Sequence, residues 1–410
     1  MKPRLLLIAS LALLALTPPL RAANDTATAA TAINALGIDL LAKTGKPTEN
    51  ALLSPYSIQS ALAMTYNGAA GKTRDEMETA LHFPKDNTQL NKSFAALNKG
   101  LSAAIAKSKA EGPNAEVDLS TANRMFAQKG HQFQQAFFDT LKNDYGASPE
   151  QLDFISAPDP ARKLINAWVA EQTHKRIEGL IPPDGLTKMT RLVLVNAIYF
   201  KATWQDQFEN ANTHPAPFQI GGTKTVEVPA MTNLQSLGYA KRHGYTVVTL
   251  PYGGADIQFV ILLPDKPDEL PALESKLTPA LLAGCANLKP AEVHLWMPKF
   301  KLQPATMRLG DALQALGIKL AFSQDADFSG ITGDKSLYIS DVFHKTYLSL
   351  DEHGTEAAAA TAVELDAKGI AEPGEPVEVH VDHPFLFAIQ DCKTGACLFL
   401  GRVTDPRDPR

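Results

Sequence analysis

The spacing of apolar and polar residues divides the chain into a first half with helical periodicity and a second half with extended segments. Residues 54–66 begin with a capping serine followed by a proline, and helical spacing recurs in residues 23–44, 75–81, 90–107, 133–145 and 161–173. Short apolar runs typical of strands follow in residues 192–200, 246–251, 257–263, 292–297 and 385–403. This order predicts an α+β fold in one domain, because no long linker divides it.

Residues 353–369, HGTEAAAATAVELDAKG, have the alternation of a strand despite their alanine content. A surface helix is the other interpretation, since alanine is the strongest helix former. Every charge between positions 355 and 366 falls on one set of alternate positions, and the other set is small or apolar. That second set consists of Thr355, Ala357, Ala359, Thr361, Val363 and Leu365. The pattern predicts a loop that is able to become a strand with one buried face.

The first 22 residues have the three parts of a secretory signal peptide. Lys2 and Arg4 precede an apolar run at residues 5–16, and small residues lead to Ala22, after which cleavage is expected. The apolar run is too short to favour a membrane-spanning helix, although an uncleaved anchor is the alternative interpretation. We therefore expect a secreted or periplasmic protein whose mature domain is residues 23–410.

Composition and short motifs exclude several functions. The net charge is -5 with no long basic run, which argues against nucleic acid or an anionic membrane as a partner. Residues 68–73, GAAGKT, suggest a phosphate-binding loop, but the first glycine of that motif would fall on Tyr66. The sequence has neither a Gly-x-Ser-x-Gly elbow nor a His-Glu-x-x-His motif, so a hydrolase is disfavoured. Neither a cofactor nor a metal is predicted.

Cys392 and Cys397 flank a Thr-Gly turn between two apolar runs, which predicts a β-hairpin. Cysteines on opposite strands of such a hairpin are able to lie at bonding distance, and an exported protein permits a disulfide. Two unpaired thiols are equally compatible with the sequence. Cys285 is expected to be a lone buried thiol.

A series of short motifs, in order along the mature chain, resembles the serpin family. They are SPYSI at 54–58, GAAGKT at 68–73, INAWV at 165–169, NAIYFKATW at 196–204, DFSG at 327–330, HPFLF at 383–387 and LFLGRV at 398–403. The resemblance covers nearly the whole mature chain. It implies one domain with three β-sheets, about nine helices and an exposed reactive-centre loop at about residues 352–376.

The resemblance also implies a mechanism. In inhibitory serpins a protease attacks the reactive-centre loop as a substrate and forms an acyl-enzyme with it. The cleaved loop then inserts as a new strand into the largest sheet and carries the protease along before it deacylates.

The sequence of the loop satisfies the physical requirements of insertion. No proline occurs between Gly354 and Lys368, where each proline would remove a hydrogen-bond donor from the new strand. Pro373 and Pro376 lie beyond the expected cut. The hinge expected by resemblance consists of Glu352, Gly354, Thr355, Glu356 and the alanines Ala357, Ala358, Ala359 and Ala360.

The family's usual loop length, counted from Glu352, places the reactive bond at Lys368–Gly369. Lys368 is the only Lys or Arg between Glu352 and His380, which predicts a trypsin-like target. An ordinary exposed lysine is the other interpretation. The segment after Lys368 is several residues longer than usual. If the extra residues precede the cut, the bond moves toward Ile370 or Ala371 and elastase-like targets replace trypsin-like ones.

By the same resemblance, Ser54, Ser57, Asn196 and His344 match a polar cluster under the central sheet. Their implied role is to steady strands that must part. Trp204 matches a tryptophan at the top of that sheet, where insertion begins. None of these residues is expected to be catalytic.

The sequence therefore predicts a secreted suicide inhibitor of serine proteases, not an enzyme, that forms a covalent complex with its target and is otherwise a monomer. The alternative is a non-inhibitory serpin that serves as a carrier or a chaperone-like binding protein. The hinge distinguishes the two, because non-inhibitory members tend to carry bulky, charged or proline residues where this chain has Thr355 and alanines.

Overall fold

The computed structural model describes residues 20–112, 115–221, 224–254, 256–356 and 375–408. Within these ranges the helices are α1 Leu20–Lys43, α2 Pro55–Tyr66, α3 Gly71–Ala80, α4 Asn87–Glu111, α5 Gln135–Tyr145, α6 Pro158–Gln172, α7 Leu270–Glu274, α8 Pro279–Gly284, α9 Gly310–Ala315 and α10 Ser329–Thr332. The strands of the first sheet are β2 Val117–Gln128, β3 Glu150–Leu152, β4 Leu192–Thr203, β10 Phe300–Leu302, β11 Met307–Arg308, β12 Ile339–Asp351 and β13 Gly354–Thr355. Those of the second are β1 Ala51–Leu53, β5 Thr213–Ile220, β6 Lys224–Arg242, β7 Tyr245–Pro251, β8 Ile257–Pro264, β9 Pro290–Pro298, β14 Val377–His380, β15 Phe385–Asp391 and β16 Cys397–Val403.

The first sheet, called the central sheet below, has the strand order β10–β12–β13–β4–β2–β3, with β11 on β12. The second has the order β1–β16–β15–β8–β7–β6–β9–β14, with β5 on β6. The 19-residue strand β6 pairs with β7 at its C-terminal end and with β5 and β9 along the rest of its length. The α+β fold is confirmed, and the two expected smaller sheets are continuous with each other in the described residues because β6 runs through both.

Both faces of the central sheet are buried. Alternate residues of β4 belong to two different clusters. Leu194, Ile198 and Phe200 pack in the main core with α2 and the second sheet. The residues between them, such as Val195, pack under α6. A strand covered on both faces carries no polar alternation, which explains the continuous apolar run in β4.

The six helices predicted in the first half of the chain are confirmed, and so are the strands predicted at β4, β7, β8, β9, β15 and β16. Ser54 caps α2 by accepting a hydrogen bond from the Ser57 amide, and Pro55 is the first helical residue. The sequence prediction omitted β2, β6 and β12. These strands carry polar residues at buried positions, such as Asp341 and His344 in β12, so their pattern lacks a clean period of two.

Helix α1 begins at Leu20 and therefore passes through the cleavage site expected after Ala22. Residues 1–19, which hold most of the expected signal peptide, lie outside the described ranges. Among the helices that are described, none is both long and apolar enough to cross a membrane.

The predicted hairpin at the C-terminus is confirmed, and its two cysteines, for which the sequence left a disulfide and two free thiols open, are unpaired. Strands β15 and β16 are antiparallel, and Cys397 lies opposite Gln390 because the register shifts between Ile389 and Gln390. Cys392 lies beyond the end of β15, where its amide donates to the Asp256 carbonyl at 2.9 Å. All three cysteines are free thiols, which agrees with the other interpretation of the sequence.

Candidate functional site

A short strand occupies one end of the gap between β4 and β12. These two strands are parallel neighbours along most of their length, with His344 opposite Asn196. At their far end, Gly354 and Thr355 form β13, which pairs antiparallel with both of them. Thr355 lies opposite Leu350 on one side and Ala202 on the other. Two residues near the start of the predicted strand-forming loop, Gly354 and Thr355, are thus already part of the central sheet, and we call their position the hinge seat.

Only glycine fits the first position of the hinge seat. Gly354 has a φ of +146°, and a Cβ on it would lie 2.0 Å from the carbonyl oxygen of Ala202. A side chain there would be strained by its backbone conformation and would overlap β4. Gly354 therefore allows the chain to enter between the two strands.

Thr355 is fully buried, and its side chain points into the main core. Its hydroxyl is 2.6 Å from the hydroxyl of Tyr252, which lies just after β7. Burial raises the pKa of Tyr252 well above its ordinary value, and the hydrogen bond to Thr355 opposes this. The two hydroxyls therefore satisfy each other inside an otherwise apolar core.

Trp204 supports the turn that precedes the hinge seat. Its ring stacks on Tyr252 with the ring centroids 4.5 Å apart. Its indole N–H donates to the Asp351 carbonyl at 2.9 Å, and its backbone N–H donates to the His353 carbonyl at 2.9 Å. The prediction that Trp204 lies where the loop enters the sheet agrees with these contacts.

Glu352 anchors the same turn from the other side. Its side chain forms an ion pair with Lys299 at 2.6 Å and accepts a hydrogen bond from the Thr213 hydroxyl at 2.7 Å. Burial acts to raise the pKa of Glu352, but the bonds from Lys299 and Thr213 outweigh it and hold that pKa below its usual range. The turn is thus tied to β5 and to the start of β10.

Glu356 is the last described residue of the hinge. Its amide donates to the Ser349 carbonyl at 2.7 Å, and its carboxylate forms an ion pair with Arg176. Its φ of +51° lies outside the range of an extended strand. The other predicted hinge residues, the four alanines 357–360, lie outside the described ranges, and so does the predicted reactive bond at residues 368–369.

A row of polar side chains crosses the central sheet below the hinge seat. Asn123 of β2, Asn196 of β4 and His344 of β12 lie at one level of the register. The Asn196 amide donates to Asn123 Oδ1 at 2.7 Å and to the Ser57 hydroxyl at 2.6 Å. The Ser57 hydroxyl is 2.8 Å from Asn123 Oδ1. We call Asn123, Asn196 and His344 the polar row.

The helix start below the sheet completes this network. The Ser54 amide donates to Nε2 of His344 at 3.1 Å, and the Ser54 hydroxyl donates to the Leu398 carbonyl at 2.6 Å. Because Nε2 accepts, the imidazole proton is on Nδ1, which donates to Asn196 Oδ1. The predicted cluster of Ser54, Ser57, Asn196 and His344 is therefore brought together by the fold.

His344 is held in its neutral form. Burial lowers its pKa to about 3, against a small opposing effect of Asn196. Protonation of Nε2 would also remove the acceptor of the Ser54 amide. At this level β4 and β12 are paired through their backbones, and the neutral hydrogen bond between His344 and Asn196 is a further link between the two strands.

Comparisons with known proteins agree with this architecture. The family profile described as Serpin (serine protease inhibitor) matches residues 31–406. The chain belongs to the serpin family. Leukocyte elastase inhibitor of Bos taurus is 39% identical over 369 residues, which are 88% of this chain and 94% of that protein.

Two solved structures are similar to this serpin over nearly all of its length. Serpin48, described as a highly specific serpin of the insect Tenebrio molitor, has a TM-score of 0.78 at 32% identity and covers 95% of this chain and 100% of its own. Human thyroxine-binding globulin in complex with thyroxine has a TM-score of 0.76 at 29% identity. The match covers 94% of this chain and 100% of the globulin.

Sequence reasoning missed three residues of the site in this serpin: Asn123, Tyr252 and Arg176. Asn123 lies in β2, which was not predicted as a strand, and Arg176 lies in a turn after α6. Tyr252 follows an apolar strand and resembles any core aromatic. A polar asparagine inside the segment STANRMF was the only local signal for Asn123.

The arrangement in the described residues is suited to conformational change rather than to catalysis. The hinge seat has opened one end of the gap, and the polar row closes its middle. No group of three or more His, Cys, Asp or Glu residues in the described ranges has the geometry of a metal site.

Proposed function

We propose that this serpin is a secreted suicide inhibitor of trypsin-like serine proteases, with Lys368–Gly369 as the reactive bond. The observation that carries the proposal is the hinge seat, in which Gly354 and Thr355 already pair with both β4 and β12. The sequence beyond them is small, free of proline and alternating. A loop with this start and this composition is able to continue into the gap as a strand.

The register supports this continuation. Six positions beyond Thr355, Thr361 would lie between Asn196 and His344, and Leu365 would reach Leu192, the first residue of β4. Ala357, Ala359, Thr361, Val363 and Leu365 would then face the main core, on the side where Thr355 already lies. Insertion would thus replace the backbone pairing of β4 with β12, and the hydrogen bond between Asn196 and His344, with bonds to a new strand that brings its own hydroxyl.

The position of Lys368 fits the end of such a strand. It lies three residues beyond Leu365, so a protease attached to it would be carried to the opposite end of the sheet. In the proposed reaction the protease serine oxygen bonds to the Lys368 carbonyl carbon, the bond to the Gly369 nitrogen breaks, and that nitrogen takes up a proton. Insertion would follow before water attacks the ester.

The remaining parts of the proposal rest on the sequence. Lys2, Arg4 and the apolar run at residues 5–16 support export, and cleavage after Ala22 would remove three residues from the start of α1. We propose a monomer whose macromolecular partner is the target protease, with no role for nucleic acid or a membrane.

A carrier function is the second candidate, since one similar structure is thyroxine-binding globulin in complex with thyroxine. The composition of the hinge argues for inhibition, because the residue in the seat is a small threonine and alanines follow it. An alternative cut near Ile370 or Ala371 would keep the mechanism and change the target to elastase-like proteases.

The deciding experiment mixes the mature protein with trypsin and analyses the products on a denaturing gel. We expect a covalent band near the summed masses and a released peptide that begins at Gly369. The Lys368→Ala variant is the matched control and should form no such band with trypsin. Clean cleavage without a covalent band, repeated with elastase-like and subtilisin-like proteases, would contradict inhibition.

A further inference from the structure

Thr355 and Glu356, the two described hinge residues after Gly354, lie on opposite faces of the central sheet. Thr355 points into the main core, whereas Glu356 points to the outer face of the central sheet. Burial raises the pKa of Glu356, and the cations Arg176, Lys201 and Lys301 oppose that rise. The outer face at this level therefore brings three cations near Glu356, of which Lys201 is also paired with Glu116, and the inner face is apolar apart from the Tyr252 hydroxyl.

Arg176 reaches Glu356 from a turn that follows α6. His174 and Lys175 both have positive φ, at 49° and 61°, which is unfavourable for residues other than glycine. The Arg176 amide closes the turn by donating to the Thr173 carbonyl at 2.8 Å. This strained turn places the Arg176 side chain over the hinge.

Glu356 is itself held in an unfavourable state. Its φ is +51°, its side chain is 9% exposed, and its carboxylate forms an ion pair with Arg176. The ion pair thus compensates a nearly buried charge. A β-strand conformation would relieve the positive φ and bring Glu356 opposite Lys201 of β4.

The face of the sheet on which Glu356 lies determines which face each later residue of the loop would occupy in an inserted strand. A slip of one residue would turn Glu356 toward the main core and turn the small side chains outward, because side chains alternate along a strand. A carboxylate in that core would lie among apolar residues such as Phe200. The charge on the outer face therefore selects one register before insertion starts.

We propose that Arg176 is a positioning residue for loop insertion: it holds Glu356 on the outer face and so determines which side chains of the incoming strand face the core. This inference deepens the proposed inhibitory function and rests on it. The position of the hinge in the uncleaved protein tests it without any protease.

The first experiment measures hydrogen exchange by mass spectrometry in peptides that cover residues 350–356. We expect the Glu356 amide to exchange about tenfold faster in Arg176→Ala than in the wild type, because loss of the ion pair frees the hinge to leave the sheet; this change corresponds to ~1.4 kcal/mol. Glu356→Gln should behave like Arg176→Ala and keeps the shape of the side chain. Lys175→Ala, which removes the neighbouring charge, should exchange like the wild type. Equal exchange in all four proteins would overturn the proposal.

The second experiment separates positioning from general stability by kinetics with trypsin. Arg176→Ala should raise the number of inhibitor molecules consumed per protease, with an unchanged association rate constant, and Arg176→Lys should restore part of the loss. A slower association with unchanged stoichiometry would contradict a positioning role. If the wild type traps no protease, the proposed function fails, and the exchange experiment still decides whether Arg176 positions the hinge.

Discussion

The hinge seat and the polar row hold the same two strands in different ways. In the hinge seat, backbone pairing of β13 and the stacked rings of Trp204 and Tyr252 keep β4 and β12 apart. In the polar row, β4 and β12 pair directly through their backbones, and a hydrogen bond between Asn196 and His344 joins their side chains as well. An inserted segment thus holds the strands apart at one end, and direct pairing reinforced by side-chain bonds holds them together in the middle. Opening is therefore expected to proceed from the hinge seat and to be limited by the polar row.

The largest expected effect comes from a charge in the hinge seat. Thr355→Arg would place a guanidinium against Tyr252 in the main core, where an unpaired charge costs several kcal/mol. We expect the number of inhibitor molecules consumed per trypsin to rise at least about tenfold, which requires only ~1.4 kcal/mol. Thr355→Ser, which keeps the hydroxyl, is the control and should inhibit normally. Unchanged stoichiometry in Thr355→Arg would refute insertion.

A methyl group at the entrance of the hinge seat tests its steric limit. Gly354→Ala combines a strained φ with an overlap on the Ala202 carbonyl, and strain of this kind costs about 1–3 kcal/mol. We expect faster hydrogen exchange at residues 350–356 and weaker trapping. Gly317→Ala is the matched control, because Gly317 also has a positive φ, of +114°, but a methyl group there would meet no described atom within 4 Å. If both variants behave alike, the overlap with β4 is unimportant.

Removal of one member of the polar row tests the closed middle of the gap. Asn123→Ala leaves the Asn196 amide and the Ser57 hydroxyl short of a partner, which costs about 1–3 kcal/mol. We expect a lower unfolding temperature and a faster loss of inhibitory activity on heating. Ser120→Ala, on the outer face of the same strand, should leave both measurements unchanged. If Asn123→Ala lost inhibitory activity on heating at the same rate as the wild type, the polar row would not limit the opening of the central sheet.

The smallest expected effect is the pH dependence contributed by His344. Its pKa is about 3 in the folded protein and about 6.5 in the unfolded chain, so the unfolded chain binds more protons between these values. The stability that His344 contributes is therefore present above pH 6.5 and is lost as the pH falls toward 3. His344→Gln should show a smaller fall in unfolding temperature between pH 7.5 and pH 5 than the wild type. An equal fall in unfolding temperature in His344→Gln and in the wild type would contradict this. The exposed His243→Gln is the control and should behave like the wild type.

Local patterns predicted much of the fold and part of the site. The helix cap at Ser54, the buried strand β4 and the alternation that starts at Thr355 depend on neighbouring residues, so they are visible in the sequence. The family resemblance brought in Asn196, His344 and Trp204. Asn123 and Arg176 were not found, because their contacts join segments that are more than fifty residues apart in the chain.

Two details of the strands were beyond the sequence for the same reason. The sequence left open whether Cys392 pairs with Cys397, and a shift at the end of β15 places Gln390 opposite Cys397. The sequence also did not indicate that β6 continues from one expected sheet into the next. Register and strand continuity are set by packing on neighbouring strands, which short-range periodicity does not contain.

The sequence by itself determined the prediction of a loop able to become a strand, because alternation, small size and the absence of proline are local properties. Only the tertiary structure decided that Gly354 and Thr355 already lie in the central sheet and that Glu356 faces Arg176. These positions depend on β4, β12, Tyr252 and the turn after α6, which are distant in the sequence and meet only when the core packs.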